Sequence, residues 1–293
     1  MKKSRKRPAR RSRKQSGQRI TLLITILFLI PVCYGLYLCT PHLQAAISSV
    51  LPTQHQAPAQ QTRHYDDLEI PLVTNAGQQQ QIIRHTGYTV SYNNALRLPN
   101  WVAYELTREE ARGTEKRSDR FVADPQVEGA TATNADYTRS GYDKGHMAPA
   151  ADMKWSPTAM KESFYFSNIC PQHPELNRRK WKDLEEKIRD WGVADSAIVI
   201  VCGPIIEKHS ATIGKNHVTI PGRFFKVILS PYANPPRAIG FLFPNERAVA
   251  PLRTYVVTVD SVEHITGMDF FSALPDELEN TIEAEAKPGD WGI

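Results

Sequence analysis

The chain has 293 residues, 41% of them hydrophobic and 23% charged, a balance that excludes collagen-like, fibrous and disordered classes. The net charge of +5 does not describe a basic protein, because ten Lys and Arg with no acid lie in residues 1–19 and the remainder is mildly acidic. Generic attraction to polyanions is thereby excluded, and any anion site has to be a local cluster.

Residues 20–39 (ITLLITILFLIPVCYGLYLC) carry no charge. At helical rise, twenty residues span about 30 Å, the hydrocarbon thickness of a bilayer. The basic stretch precedes this run, so the positive-inside rule places the N-terminus in the cytoplasm and the rest outside. The run exceeds the about 7–15 apolar residues of a signal-peptide core, and no clean A-x-A site follows it. An uncleaved signal anchor is therefore expected: one transmembrane helix, with the folded domain extracytoplasmic, or secreted if the segment is cleaved. Residues 40–64, rich in Gln, Ala and Pro, read as a linker. A folded domain is expected over 65–275, followed by a loose tail over 276–293.

Within that domain, residues 87–92 and 101–106 alternate in the manner of strands, with a turn-rich loop (NNALRLPN) between them. Residues 196–202 (SAIVIVC) form a β-branched apolar run suited to a central strand. Residues 223–229, 237–243 and 255–259 are further strands. Residues 156–163 open with Ser156-Pro157, a cap followed by proline at the first helical position. Residues 176–191 form the strongest helix. Strands dominate, which predicts an α+β fold with a mainly antiparallel sheet. Cys170 and Cys202 either pair or sit as two small buried residues, and no Cys/His spacing suggests zinc.

On the 176–191 helix, Trp181, Leu184, Ile188 and Trp191 form one apolar stripe. Asn177 falls on the direction of that stripe. Two readings stand: an N-terminal capping residue, or an amide oxygen serving as acceptor or hard-metal ligand. Glu185 lies on the flank of the stripe. Upstream, His146 sits in YDKGHMAPAAD among Asp143, Lys144 and Gly145, where charges can orient an imidazole and Gly145 permits unusual dihedrals.

The stretch ATNADYTRSGYDKGHMAPAADM, followed by SNICPQHPELNRRKWKDLEE, resembles the DNA/RNA non-specific endonuclease family, the ββα-metal nucleases related to endonuclease G. The likeness covers roughly residues 85–265 and rests on two motifs in order, a D-R-G-H type element and an L-N-x-x-x-W-x-x-L-E element. The resemblance implies a ββα-metal unit laid against the sheet. It implies His146 as general base, Asn177 as the single protein ligand to Mg²⁺ or a similar hard ion such as Mn²⁺, and Glu185 as the acid that organises water around the ion. Lys144 stands where the family usually has Arg, which keeps the charge and loses the bidentate fork. The upstream phosphate-contacting Arg corresponds to Arg120 or Arg117 in KRSDRF.

The implied activity is hydrolysis of DNA and RNA phosphodiester bonds, giving 5′-phosphate ends, with nucleic acid as substrate; the N-terminal run separately predicts the membrane as a partner. The oligomeric state is open, a homodimer being one option. Two alternatives stand beside it: a phosphodiesterase for nucleotides or other small phosphate esters, and a nucleic-acid-binding protein of nuclease fold that does not cut.

Overall fold

The computed structural model describes residues 67–74 and 79–293. Thirteen strands are formed among them: β1 (Leu72–Val73), β2 (Gln81–Arg84), β3 (Thr89–Asn93), β4 (Leu98–Thr107), β5 (Asp143–His146), β6 (Ile169–Gln172), β7 (Ala197–Ile205), β8 (Thr212–Ile213), β9 (Val218–Thr219), β10 (Arg223–Ser230), β11 (Arg237–Pro244), β12 (Val256–Val257) and β13 (Met268–Asp269). Five α-helices accompany them: α1 (Asn134–Tyr137), α2 (Pro157–Glu162), α3 (Lys182–Asp195), α4 (Val259–Thr266) and α5 (Asp276–Glu283). Seven strands make one sheet in the order β12-β11-β10-β7-β4-β3-β2. Every neighbouring pair in it is antiparallel, as the sequence predicted.

The central strands show why their sequences read as apolar runs. In β7, Ile198, Ile200 and Cys202 join one core while Val199 and Val201 join another on the opposite face. In β10, Phe224 and Ile228 face the first core, and Phe225, Val227 and Leu229 face the second. A strand buried on both sides loses the apolar–polar alternation, because each face needs its own hydrophobic set. The first face carries β5, β6 and α3; α4 and α5 cover the second.

Two strand ends depart from the expectation. β4 begins at Leu98, inside the predicted loop. The pairing register shifts between Ser91 and Tyr92, which face Trp101 and Pro99, leaving Asn100 as the extra residue of a bulge. Its amide bonds the Ser91 hydroxyl at 3.2 Å and the Gln79 carbonyl at 3.1 Å. A bulge tolerates proline in a strand, so NNALRLPN reads as loop without being one throughout. At the other end β12 stops at Val257, because the Thr258 hydroxyl accepts from the Ser261 N–H at 3.1 Å and caps α4. The Ser156 cap of α2 forms as expected.

The last residues are not a loose tail. Residues 276–283 form α5, and Trp291, 3% exposed, packs edge-on against Trp191 of α3 at 4.7 Å. The Trp191 indole donates to the Trp291 carbonyl at 3.0 Å. Such an aromatic pair contributes about 0.5–1.5 kcal/mol beyond its buried area. Cys170 and Cys202 are free and buried, with no bond between them. The expected transmembrane helix at 20–39 lies outside the described residues, and among those described no helix is long and apolar enough to cross a membrane.

Candidate active site

The site is built where the β5–β6 pair meets the start of α3. β5 carries Asp143, Lys144, Gly145 and His146, paired to β6 with His146 opposite Ile169 and Gly145 opposite Cys170. Gly145 is required by a close approach: a Cβ there would stand 2.3 Å from the Gln172 side chain. That corrects the expectation of unusual dihedrals, since its backbone is ordinary strand.

Residues 176–191 are not one regular helix. Leu176–Trp181 forms a π-helical turn that passes directly into α3. Asn177 is thus inside the turn rather than at its cap, which is Glu175. The Asn177 amide donates from Nδ2 to Asp143 at 3.0 Å. A carboxylate only accepts, so this bond sets the orientation of the amide and leaves Oδ1 as the free oxygen. Asp143 is held in turn by a two-pronged bond from Arg178, at 2.7 Å to each oxygen. Burial alone would raise the Asp143 carboxyl, but the bonds from Arg178 and Asn177 bring it below its ordinary value. One turn on, the Trp181 indole donates to the His146 carbonyl at 3.2 Å. Helix and strand are therefore joined at two points, four residues apart on one element and three on the other. A break in the regular turn at a functional site is a common use of π-helical geometry.

His146 is 8% exposed. Its ring packs edge-on against Phe164 at 4.9 Å and against Phe121 at 5.4 Å. Nε2 is buried with no hydrogen-bond partner. Burial first, and then the charges of Arg117 and Lys144, push its pKa down to about 3. The imidazole is thus neutral at any physiological pH, with a lone pair that no protein group uses.

The cations around it are placed by aromatic faces. Lys144 lies 4.2 Å over Phe121 and donates to the Asn134 oxygen at 2.7 Å. Arg117 lies 4.9 Å over Phe164, the ring that meets His146 edge-on. Of the two arginines, Arg117 is the one whose charge acts on His146 and on Glu185. Both arginines are exposed, and Arg117 also donates from Nε to Asp119 at 2.5 Å. Of the two candidates left open for the phosphate-contacting arginine, Arg117 is the one that lies over the ring packed on His146. The Val122 N–H bonds the Phe164 carbonyl and the Val122 carbonyl takes the Phe166 N–H, which fixes this segment beside the ring cluster.

Glu185 belongs to a buried ionic group that the sequence did not reveal. Burial raises its pKa to about 7; Lys226 opposes the shift, Asp152 adds to it, and Arg189 and Arg117 oppose it. Asp152 is fully buried, accepting from Arg189 at 2.8 Å and from the Tyr104 hydroxyl at 2.8 Å. Lys226 is also fully buried, with its ammonium 4.4 Å over the Trp181 ring. The signal for Lys226 was a charge inside the apolar run FFKVIL, in a strand buried on both faces. Asn168 was missed as well: its amide bonds the Ala148 N–H and carbonyl and the Ser163 carbonyl, and so fixes the chain that leaves His146.

The comparisons with known proteins agree on one family. The pattern of the DNA/RNA non-specific endonuclease family matches residues 69–277. The chain is 34% identical over 206 residues to human mitochondrial endonuclease G, covering 65% of this chain and 69% of that protein. It is 34% identical over 209 residues to mouse mitochondrial nuclease EXOG, covering 65% of this chain and 57% of that protein. A chain from the crystal structure of the EndoG/EndoGI complex matches with a TM-score of 0.64 at 30% identity, covering 68% of this chain and 89% of that one. These relatives overturn the expected localisation. Two of them are mitochondrial nucleases, and among the described residues no helix is long and apolar enough to cross a membrane, so the assignment as a single-pass membrane protein with an extracytoplasmic domain is withdrawn.

Proposed function

Because this chain belongs to the DNA/RNA non-specific endonuclease family, we propose that it is an endonuclease that hydrolyses phosphodiester bonds of DNA and RNA, with His146 as general base. The observation that carries the reading is the His146 imidazole: buried, held neutral, flanked by Arg117 and Lys144, and with Nε2 free of any protein partner.

Hydrolysis of a phosphodiester needs three things from the chain. The attacking water must lose a proton as its oxygen bonds to phosphorus, and the free Nε2 of His146 takes it. The non-bridging oxygens must be neutralised, and Arg117 and Lys144 supply two positive charges beside the imidazole. The P–O3′ bond then breaks, leaving a 5′-phosphate and a 3′-hydroxyl. A phosphate between Arg117 and Lys144 cancels the charges that now depress the basicity of His146, so substrate binding strengthens the base.

Asn177 suits a hard divalent ion, because its bond to Asp143 uses Nδ2 and leaves the amide oxygen available, and Glu185 follows about two turns further along the helical segment. Bound there, Mg²⁺ or Mn²⁺ would polarise the phosphate and stabilise charge on the departing 3′-oxygen. Glu185 orients water through its carboxylate and is held by the field of Lys226, Arg189 and Arg117. Phosphate contacts carry no base information, which suits cleavage without sequence preference.

The test is digestion of supercoiled DNA, of RNA and of a small diester, bis(p-nitrophenyl) phosphate, with Mg²⁺ and with EDTA. Nicking and degradation of both polymers only with the metal is expected. Turnover of the small diester alone would replace this reading with that of a small-ester phosphodiesterase. Tight DNA binding without cleavage would make the chain a binding protein.

A further inference from the structure

On the sheet face opposite His146, two helices bring carboxylates together. Asp260 and Glu263 lie on α4, Asp269 follows on β13, and Glu279 and Glu283 are one turn apart on α5. Oxygens of Asp260, Glu263 and Glu283 lie within 4.8 Å of one another. Glu283 is 4% exposed, and its Oε1 is buried without any hydrogen-bond partner. Glu263 gives one oxygen to the Phe270 N–H at 2.8 Å. Burial, and then the charges of Glu263, Glu279, Asp260 and Asp269, push Glu283 up to about 9. The five influences that act most strongly on it all oppose its ionisation.

We propose that Asp260, Glu263 and Glu283 bind a Ca²⁺ ion that ties α4 to α5. A buried carboxylate oxygen with no donor is a costly feature unless a cation supplies its partner. The donor set is all carboxylate oxygen, the set of a hard cation, and it holds no imidazole or thiolate that would favour zinc. Three protein carboxylates suit Ca²⁺, which takes about six to eight oxygen ligands in flexible geometry, better than Mg²⁺, which keeps several waters and is bound through one or two carboxylates. Asp260 is exposed, so the site opens to solvent, where water completes the coordination and the ion can enter. Its place behind the sheet gives it a structural role: α5 packs through Ile282 into the second core.

The experiment uses the full chain stripped with EDTA. Ca²⁺ is titrated by calorimetry, and the melting temperature is followed in parallel for wild type, Glu283→Gln, Asp260→Asn and Asn177→Ala. Saturating Ca²⁺ is expected to raise the wild-type melting temperature by about 5–10 °C. Asn177→Ala should show the same rise, because that residue lies on the other face. Glu283→Gln should lose it while melting at or above stripped wild type, since the repulsion is relieved. Asp260→Asn, at an exposed position, should fold and need about tenfold more Ca²⁺. A full Ca²⁺ response in Glu283→Gln overturns the site and leaves Glu283 a protonated buried acid. A response to Mg²⁺ and not to Ca²⁺ overturns the ion.

Discussion

Asp143 accepts the side-chain amide of Asn177 at 3.0 Å, and this bond decides which atom of Asn177 faces the site. Removing the carboxylate frees the amide to turn and leaves Arg178 without its partner. Asp143→Ala should therefore raise the Mg²⁺ concentration for half-maximal cleavage by about 10-fold, the size of effect seen when a group orienting a metal ligand is lost. Asn177→Ala should raise it further or abolish cleavage. Both follow from Mg²⁺ titrations at fixed DNA. An unchanged Mg²⁺ midpoint in both variants would remove Asn177 from the metal site.

His146→Ala should lower turnover by about 10²–10⁴-fold, the usual contribution of a general base. Binding of DNA in Mg²⁺ should persist, because Arg117 and Lys144 keep their aromatic seats on Phe164 and Phe121. Single-turnover cleavage and filter binding on the same preparation separate the two effects. Wild-type cleavage by this variant would end the assignment of the base.

The pH profile discriminates between Glu185 and His146. Glu185 is raised to about 7, so it is protonated below that pH and ionised above it. Cleavage that depends on the ionised form should rise with pH through about 7. His146, with a pKa of about 3, is already neutral over the whole range and does not produce this limb. Lys226 opposes the upward shift of Glu185, so Lys226→Met should move the limb to higher pH. A limb that stays in place in Lys226→Met, measured as kcat/KM against pH so that the free enzyme is read, would separate it from Glu185.

Asp124 tests the fold rather than the chemistry. It is 3% exposed and bonds His85 at 2.9 Å, with Ser167 as a second donor. Burial acts to raise its pKa, but the bonds from His85, Ser167 and the Gln126 N–H leave it below the ordinary value. The folded state therefore holds the carboxylate more firmly than the unfolded chain does. The resulting stability is complete above the unfolded pKa, about 3.9, and is lost as pH falls through the lower folded value. Asp124→Asn should cost about 1.5–3 kcal/mol at pH 7, with the gap in melting temperature closing below about pH 4. A gap that is constant with pH would show that the charge of Asp124 is not what stabilises the fold.

The sequence by itself determined the sheet class, the positions of β7, β10 and β11, the Ser156 cap and the two motifs that hold His146 and Asn177. These are local signals: apolar runs, cap chemistry and fixed spacings survive in a linear reading because neighbouring residues produce them. Tertiary structure decided what depends on partners distant along the chain. Asp143 fixes the Asn177 amide across a gap of 34 residues, inside a turn that begins at Glu175 rather than at Asn177. The pairing of Val122 with the chain around Phe164 brings its segment beside the rings that pack on His146. Trp191 recruits Trp291 and makes a packed end out of an expected tail. Lys226 was visible as a charge in an apolar strand, but only the fold puts it over Trp181 and in the field of Glu185. Burial and electrostatic fields are properties of three-dimensional neighbourhoods. Residue spacing along a strand or helix therefore names the candidates, and only the packed sheet assigns their environments.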